Sequence, residues 1–229
     1  MQASSNIDHR PGATTAAVPK RRLSELSDAT GFIPGWQPGE GVLLENLPFG
    51  SLRHRVVVAE DGSPLYDFPH FVEPGGAALL PIAPGGKVGL VHIDRPALLK
   101  ESPSGQYPEY VLGTDFGRLV WEAPRGYREA HEDVQETAVR ELCEEMGLQL
   151  QQVEHVGSVT TNSAMMATPI DLFLGTVELR IGDGDSRDGI REVRFFDLKQ
   201  VRELIRSGDL NCSITLSLLT HALLRGRLV

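Results

Sequence analysis

Cysteine is scarce. Only Cys143 and Cys212 occur in 229 residues, too few for a disulfide framework or a zinc cluster, which fits a reducing compartment. Long apolar runs are also missing. None approaches the roughly 18 residues of a membrane span, and the first residues lack the apolar stretch of a secretory signal. A cytoplasmic location without membrane attachment is therefore expected. Positive charge is in deficit, with 22 Lys and Arg against 31 Asp and Glu and a net charge of −9. An acidic chain repels a phosphate backbone, so nucleic acid is not expected as a partner. Such a chain can still act on a phosphorylated small molecule where a divalent metal supplies the positive charge.

What remains is the composition of an ordinary folded protein, 41% apolar and 23% charged. The length suits one domain of moderate size with appendages. Residues 1–41 are rich in Ser, Ala, Thr, Pro and Gly without apolar periodicity, and Lys20-Arg21-Arg22 interrupts them. They read as a flexible leader. Residues 42–72 read as a small antiparallel β unit. Val42-Leu43-Leu44 and Arg53 to Ala59 are its apolar runs, and Asp61-Gly62 is a hairpin signal.

The main domain is expected over residues 73–229. Two continuous apolar runs, Gly76 to Ala83 and Lys87 to Ile93, flank Pro84-Gly85-Gly86. They predict core strands covered on both faces, with a turn between them. Arg95 follows at the end of the second strand. Residues 97–116, with Tyr107 and Tyr110, read as a loop whose tyrosines either stack on a base or pin the loop. Leu119 to Ala123 is a further strand. Later strands are expected at Val153–Thr160, Ile170–Glu178 and Val193–Asp197, then helices at Leu198–Arg206 and Ser213–Leu224. Met165 and Met166, between two of those strands, either line an adaptable pocket or pack.

Gly126 to Leu148 carries the chemistry. Asp133 opens a helical segment over Val134–Met146, and Gly147 ends it. Val134, Ala138, Leu142 and Met146 recur every fourth residue as an apolar stripe. Glu141, Glu144 and Glu145 fall on another face, side by side at i, i+3 and i+4. Mutual repulsion makes such a cluster costly unless a cation sits among the carboxylates. Oxygen ligands of this kind suit Mg²⁺, with Mn²⁺ able to substitute. Arg140 lies four residues from both Glu136 and Glu144 and is placed to orient carboxylates. Glu132 precedes the helix, where negative charge is favoured. Gly126 frees the backbone to turn.

The stretch matches the Nudix box, G-x5-E-x7-R-E-U-x-E-E-x-G-U with U aliphatic, at all nine fixed positions within 23 residues. The chain thus resembles a Nudix hydrolase. The run Trp121-Glu122-Ala123-Pro124-Arg125-Gly126 resembles the branch of ADP-ribose pyrophosphatases and nucleoside diphosphate-sugar hydrolases. The resemblance implies an α/β fold, a Nudix α/β/α sandwich with a mixed β-sheet, beside the small N-terminal β unit, which in similar proteins often builds a homodimer. It implies a metal site of Glu141, Glu144, Glu145 and the Arg125 carbonyl, with Gly126, Glu132, Arg140 and Gly147 as structural box residues. Arg95, Glu122 and Arg125 become candidates for substrate binding. A general base is sought among the box glutamates Glu144 and Glu145, or on the polar stretch Arg180–Glu192 at Asp185, Asp188 or Glu192.

The implied reaction is metal-dependent hydrolysis of the pyrophosphate bond of a nucleoside diphosphate linked to another moiety, ADP-ribose first. GDP-mannose, NADH or a dinucleoside polyphosphate are alternatives, and a nucleotide-sensing module without catalysis is the alternative of another class. The proline that ADP-ribose-specific members carry shortly after the box arrives later here, at Pro169, which counts against strict ADP-ribose specificity.

Overall fold

A computed structural model of the protein describes residues 42–47, 50–95, 118–178 and 189–228. The leader 1–41, the 97–116 loop with Tyr107 and Tyr110, and Asp185 and Asp188 lie outside the described residues. By contacts the chain divides into two units, one holding residues 42–47 and 51–69 and the other residues 70–228 together with Gly50.

Three strands form a sheet of their own in the order β1 (Val42–Leu47), β2 (Gly50–Val58), β3 (Pro64–Val72). The hairpin after β2 turns where Asp61-Gly62 predicts it. The Asp61 carboxylate accepts from the Ser63 amide at 2.9 Å and the Ser63 hydroxyl at 2.6 Å, and Gly62 takes a φ of 83°.

The second unit is built on β4 (Gly76–Ala83) and β5 (Lys87–Arg95). Every residue of β4 is buried, as its uninterrupted apolar run requires. The sheet order is β10 (Ile190–Phe196), β5, β4, β9 (Ile170–Val177), β8 (Leu150–Val159). Strands β4 and β9 run parallel, and the other pairs on this path run antiparallel. The sheet is therefore mixed.

Its alternating side chains fill two cores. Ala77, Leu79 and Ala83 face Ala138, Leu142 and Met146 of helix α1 (Val134–Met146). Ala78, Leu80 and Ile82 face Val201 of α2 (Leu198–Ser207) and Ile214 and Leu218 of α3 (Ser213–Leu224). Helices on both faces of one mixed sheet make the α/β/α sandwich. Among the described residues no helix is long and apolar enough to cross a membrane.

One departure from simple pairing creates the functional end of the sheet. Strands β4 and β5 pair only at Ile82↔Val88 and Ala83↔Lys87, next to their turn. Beyond that they splay apart. Strand β6 (Arg118–Glu122) pairs along β5, and β7 (Arg125–Tyr127) pairs along β4. Ala123-Pro124 carries the chain from one arm to the other, and the Pro124 carbonyl accepts from the Leu79 amide at 3.0 Å.

Candidate active site

A cleft opens at the splayed end, with a cavity volume of about 1000 Å³. The sheet arms supply Arg95, Glu122, Arg125, Gly126 and Tyr127, helix α1 supplies Arg140, Glu141, Glu144 and Glu145, and α3 brings Cys212 and Ser213 from the opposite layer. Both helix faces of the sandwich thus contribute to one site.

Helix α1 starts and stops where the residues dictate. The Asp133 carboxylate accepts from the amides of Gln135 and Glu136, both at 2.8 Å, while Glu136 accepts from the Asp133 amide at 2.9 Å. Gly147 ends the helix in the left-handed conformation, φ 62°. Because Glu136 is committed to this cap, Arg140 pairs with Glu144 at 2.9 Å and not with Glu136.

Arg140 is the hub of the acidic face. Its guanidinium reaches Glu132 at 2.7 Å and Glu141 at 2.8 Å, and it donates to the Tyr127 carbonyl at 2.9 Å. Glu132 also accepts from the Thr137 hydroxyl at 3.0 Å and the Glu129 amide at 3.1 Å. Its carboxyl is held down at about 2, chiefly by the hydrogen bonds from Arg140. Glu132 thus holds Arg140 in place rather than simply favouring the helix start.

The three box carboxylates differ in depth. Glu144 is half-exposed, Glu141 is largely covered and Glu145 is buried. Glu145 accepts from the Arg125 amide at 3.1 Å, which ties α1 to β7. Burial first, and then the charge of Glu141, push its carboxyl up to about 8. A buried carboxyl that resists ionisation beside a second acid is a donor pair that a hard cation stabilises. Gly126 makes room for this pair, because a Cβ there would overlap the Glu141 carboxylate. Among the described residues no group of three acidic, histidine or cysteine side chains already converges as a closed ligand set. Arg140 stands between Glu141 and Glu144 instead. The chemistry of the donors, hard oxygens around Gly126, fits Mg²⁺ or Mn²⁺.

The same cleft holds a basic group. Glu122 accepts from Arg95 and Arg125 together, at 2.5 and 3.0 Å. Burial alone pushes its carboxyl up, but Arg125 and then Arg95 more than offset this and hold it below the usual carboxylate range. The cleft thus carries acidic and basic side chains together, and the charges of Arg95 and Arg125 act on Glu145.

Glu192 does not join them. It lies in β10, opposite His92 of β5, rather than on a loop, and it is not among the residues lining the cleft. Met166 lines the cleft, whereas Met165 is exposed and does not. The Phe71 amide donates to the Met165 carbonyl at 2.7 Å, and the Ala167 amide donates to the Phe71 carbonyl at 3.0 Å, which sets Met166 in place. Tyr127, Glu73 and Cys212 are lining residues that the sequence reading passed over. Tyr127 donates to Glu73 at 2.8 Å, and its phenol is pushed up to about 12 by burial and by that carboxylate.

Comparison with known proteins agrees with this geometry. A family model of the NUDIX domain matches residues 86–212, more than half of the chain. A CMP-5'-(N-acetyl-N-hydroxy-3-aminopropyl)phosphonate hydrolase of Streptomyces rubellomurinus is 28% identical over 126 residues, 55% of this chain. The match spans 57% of that relative's length. A solved structure of an ADP compounds hydrolase superposes with a TM-score of 0.57 at 16% identity, covering 84% of this chain and 100% of that one. That likeness concerns the fold. The full set of box residues, their arrangement on α1 and β7, and the family match together place this chain in the NUDIX domain family.

Proposed function

We propose that the chain hydrolyses the pyrophosphate bond of a nucleoside diphosphate linked to another moiety, in a metal-dependent reaction. The observation that carries this reading is the meeting of acidic and basic side chains in one cleft. Glu141 and Glu145 line it together with Arg95 and Arg125. A diphosphate bears several charged oxygens at short spacing and can engage both sets of side chains, the arginines directly and the carboxylates through a cation. The curated relative and the solved neighbour both carry names with nucleotide-type substrates. ADP-ribose is the preferred substrate, with AMP and ribose 5-phosphate as products. GDP-mannose, NADH and dinucleoside polyphosphates require the same chemistry.

Glu141, Glu145 and the Arg125 carbonyl would hold Mg²⁺ or Mn²⁺, with Glu144 as a further oxygen donor. The ion would supply charge neutralisation at the diphosphate and Lewis acidity toward the attacked phosphorus. The chain's own residues do the rest. Arg95 and Arg125 orient the phosphates by charge-assisted hydrogen bonds. Glu144, the half-exposed carboxylate, has access to solvent water and is the preferred base for positioning it. The water oxygen bonds to one phosphorus as that phosphorus's bond to the bridging oxygen breaks, the bridging oxygen leaves on the other phosphate, and the water's proton is released through the base.

The test is a product screen over ADP-ribose, GDP-mannose, NADH and dinucleoside polyphosphates, with Mg²⁺ or Mn²⁺. The reading expects release of a nucleoside monophosphate from at least one of them. Tight binding of these compounds by folded protein without any release would instead identify a nucleotide-sensing module.

A further inference from the structure

Glu122 ends β6, and its side chain is only 5% exposed. A single oxygen, Oε2, accepts four hydrogen bonds. Nε and Nη2 of Arg95 donate at 3.0 and 2.5 Å, and Nε and Nη2 of Arg125 donate at 3.2 and 3.0 Å. The two arginines come from opposite arms of the splayed sheet, Arg95 from β5 and Arg125 from β7. Both side chains remain about 30% exposed and line the cleft, at 27% and 30%. Among the described residues, no hydrogen bond occupies the Nη1 group of either arginine.

Two guanidiniums facing one small anion repel each other and lose side-chain freedom on binding it. A buried carboxylate shared between them reduces both costs before any ligand arrives. It also leaves the group with a net charge of about +1 and two Nη1 donor groups that no hydrogen bond among the described residues uses, suited to a phosphate pair.

We propose that Glu122 is a positioning residue that bridges the splayed arms and locks Arg95 and Arg125 into one two-pronged anion site, which binds a diphosphate through protein donors alone. This rests on the reading of the cleft as a diphosphate site and adds a division of labour. The arginines bind and orient, independently of any cation at the carboxylates. Glu122 acts through the arginines and touches neither substrate nor metal.

Calorimetric titration with inorganic pyrophosphate in EDTA tests this without turnover. The native protein is expected to bind pyrophosphate, and Arg95→Ala or Arg125→Ala to weaken it about tenfold or more. Glu122→Gln decides the matter. It makes the cleft more positive by one charge, so charge alone predicts tighter binding, whereas loss of positioning predicts binding about tenfold weaker. Glu122→Asp, which keeps the charge but withdraws the carboxylate, and Arg125→Lys, which keeps the charge but loses the forked contact, are expected to weaken binding likewise. Added to Arg95→Ala, Glu122→Gln should cost much less than it does alone, because its effect runs through that arginine.

A folded Glu122→Gln protein that binds pyrophosphate as tightly as the native one overturns the proposal. So does native protein that fails to bind pyrophosphate in EDTA. If Glu122→Gln does not fold, native-like affinity in both Glu122→Asp and Arg125→Lys overturns it equally. Failure of the product screen with this pattern intact would instead count against hydrolysis and leave the anion site standing.

Discussion

The Glu141 carboxylate occupies the space that a side chain at Gly126 would need. Strand β7 and helix α1 approach this closely because Gly126 pairs with Ala77 of β4 while α1 packs on the same sheet face. Gly126→Ala is therefore expected to displace Glu141 and lower kcat by at least about a hundredfold, since a shift of about 1 Å is enough to do so. Steady-state kinetics beside a melting curve separates this from unfolding. A variant with native turnover would remove Glu141 from the working site.

Glu145 makes stability depend on pH. Its folded-state pKa is raised to about 8 from an ordinary 4.5, so between those values the folded state holds a proton that the unfolded state releases. This contribution to stability, without metal, is fully present below about pH 4.5 and is lost as pH rises toward 8. A cation bound to the ionised carboxylate reverses the penalty, so the rise in melting temperature caused by Mg²⁺ should grow across the same window. Melting curves at several pH values, with Mg²⁺ and with EDTA, check this. In Glu145→Gln the metal-free slope over that window should flatten. A Mg²⁺ increment that does not change with pH would contradict the assignment.

Arg140 bonds three carboxylates and a backbone carbonyl, and a lysine cannot reproduce that fork. Arg140→Lys should therefore keep the charge yet lose most of the stabilisation. Arg140→Ala should cost about 2–3 kcal/mol in urea unfolding. If Lys restores native stability, the network works by charge alone.

The sequence disclosed more of the scaffold than of the cleft. Strand β4 was legible because continuous apolar residues leave no solvent face, and α1 because Asp133 and Gly147 supply caps of known geometry. Strand β7 was not, since Arg-Gly-Tyr has neither alternation nor length. It is a strand only because β4 splays away from β5 and offers it an edge. Likewise Glu192 was expected on a loop, but pairing of β10 with β5 draws it into the sheet. Helical spacing put Glu141, Glu144 and Glu145 together yet gave no information on depth, which the neighbouring β7 decides by covering Glu145. Cys212 and Ser213 reach the cleft through the topology of α3, for which no local residue pattern gives a signal.

The most direct test of the central claim is turnover of ADP-ribose and the related diphosphates by Glu145→Gln with saturating Mg²⁺. The substitution keeps the shape of the buried side chain and removes its charge. Loss of the several kcal/mol of charge stabilisation that a metal site supplies predicts a fall in kcat of at least about a hundredfold, with a native circular dichroism spectrum. Native turnover by the folded variant would contradict hydrolysis at the Glu141–Glu145 site.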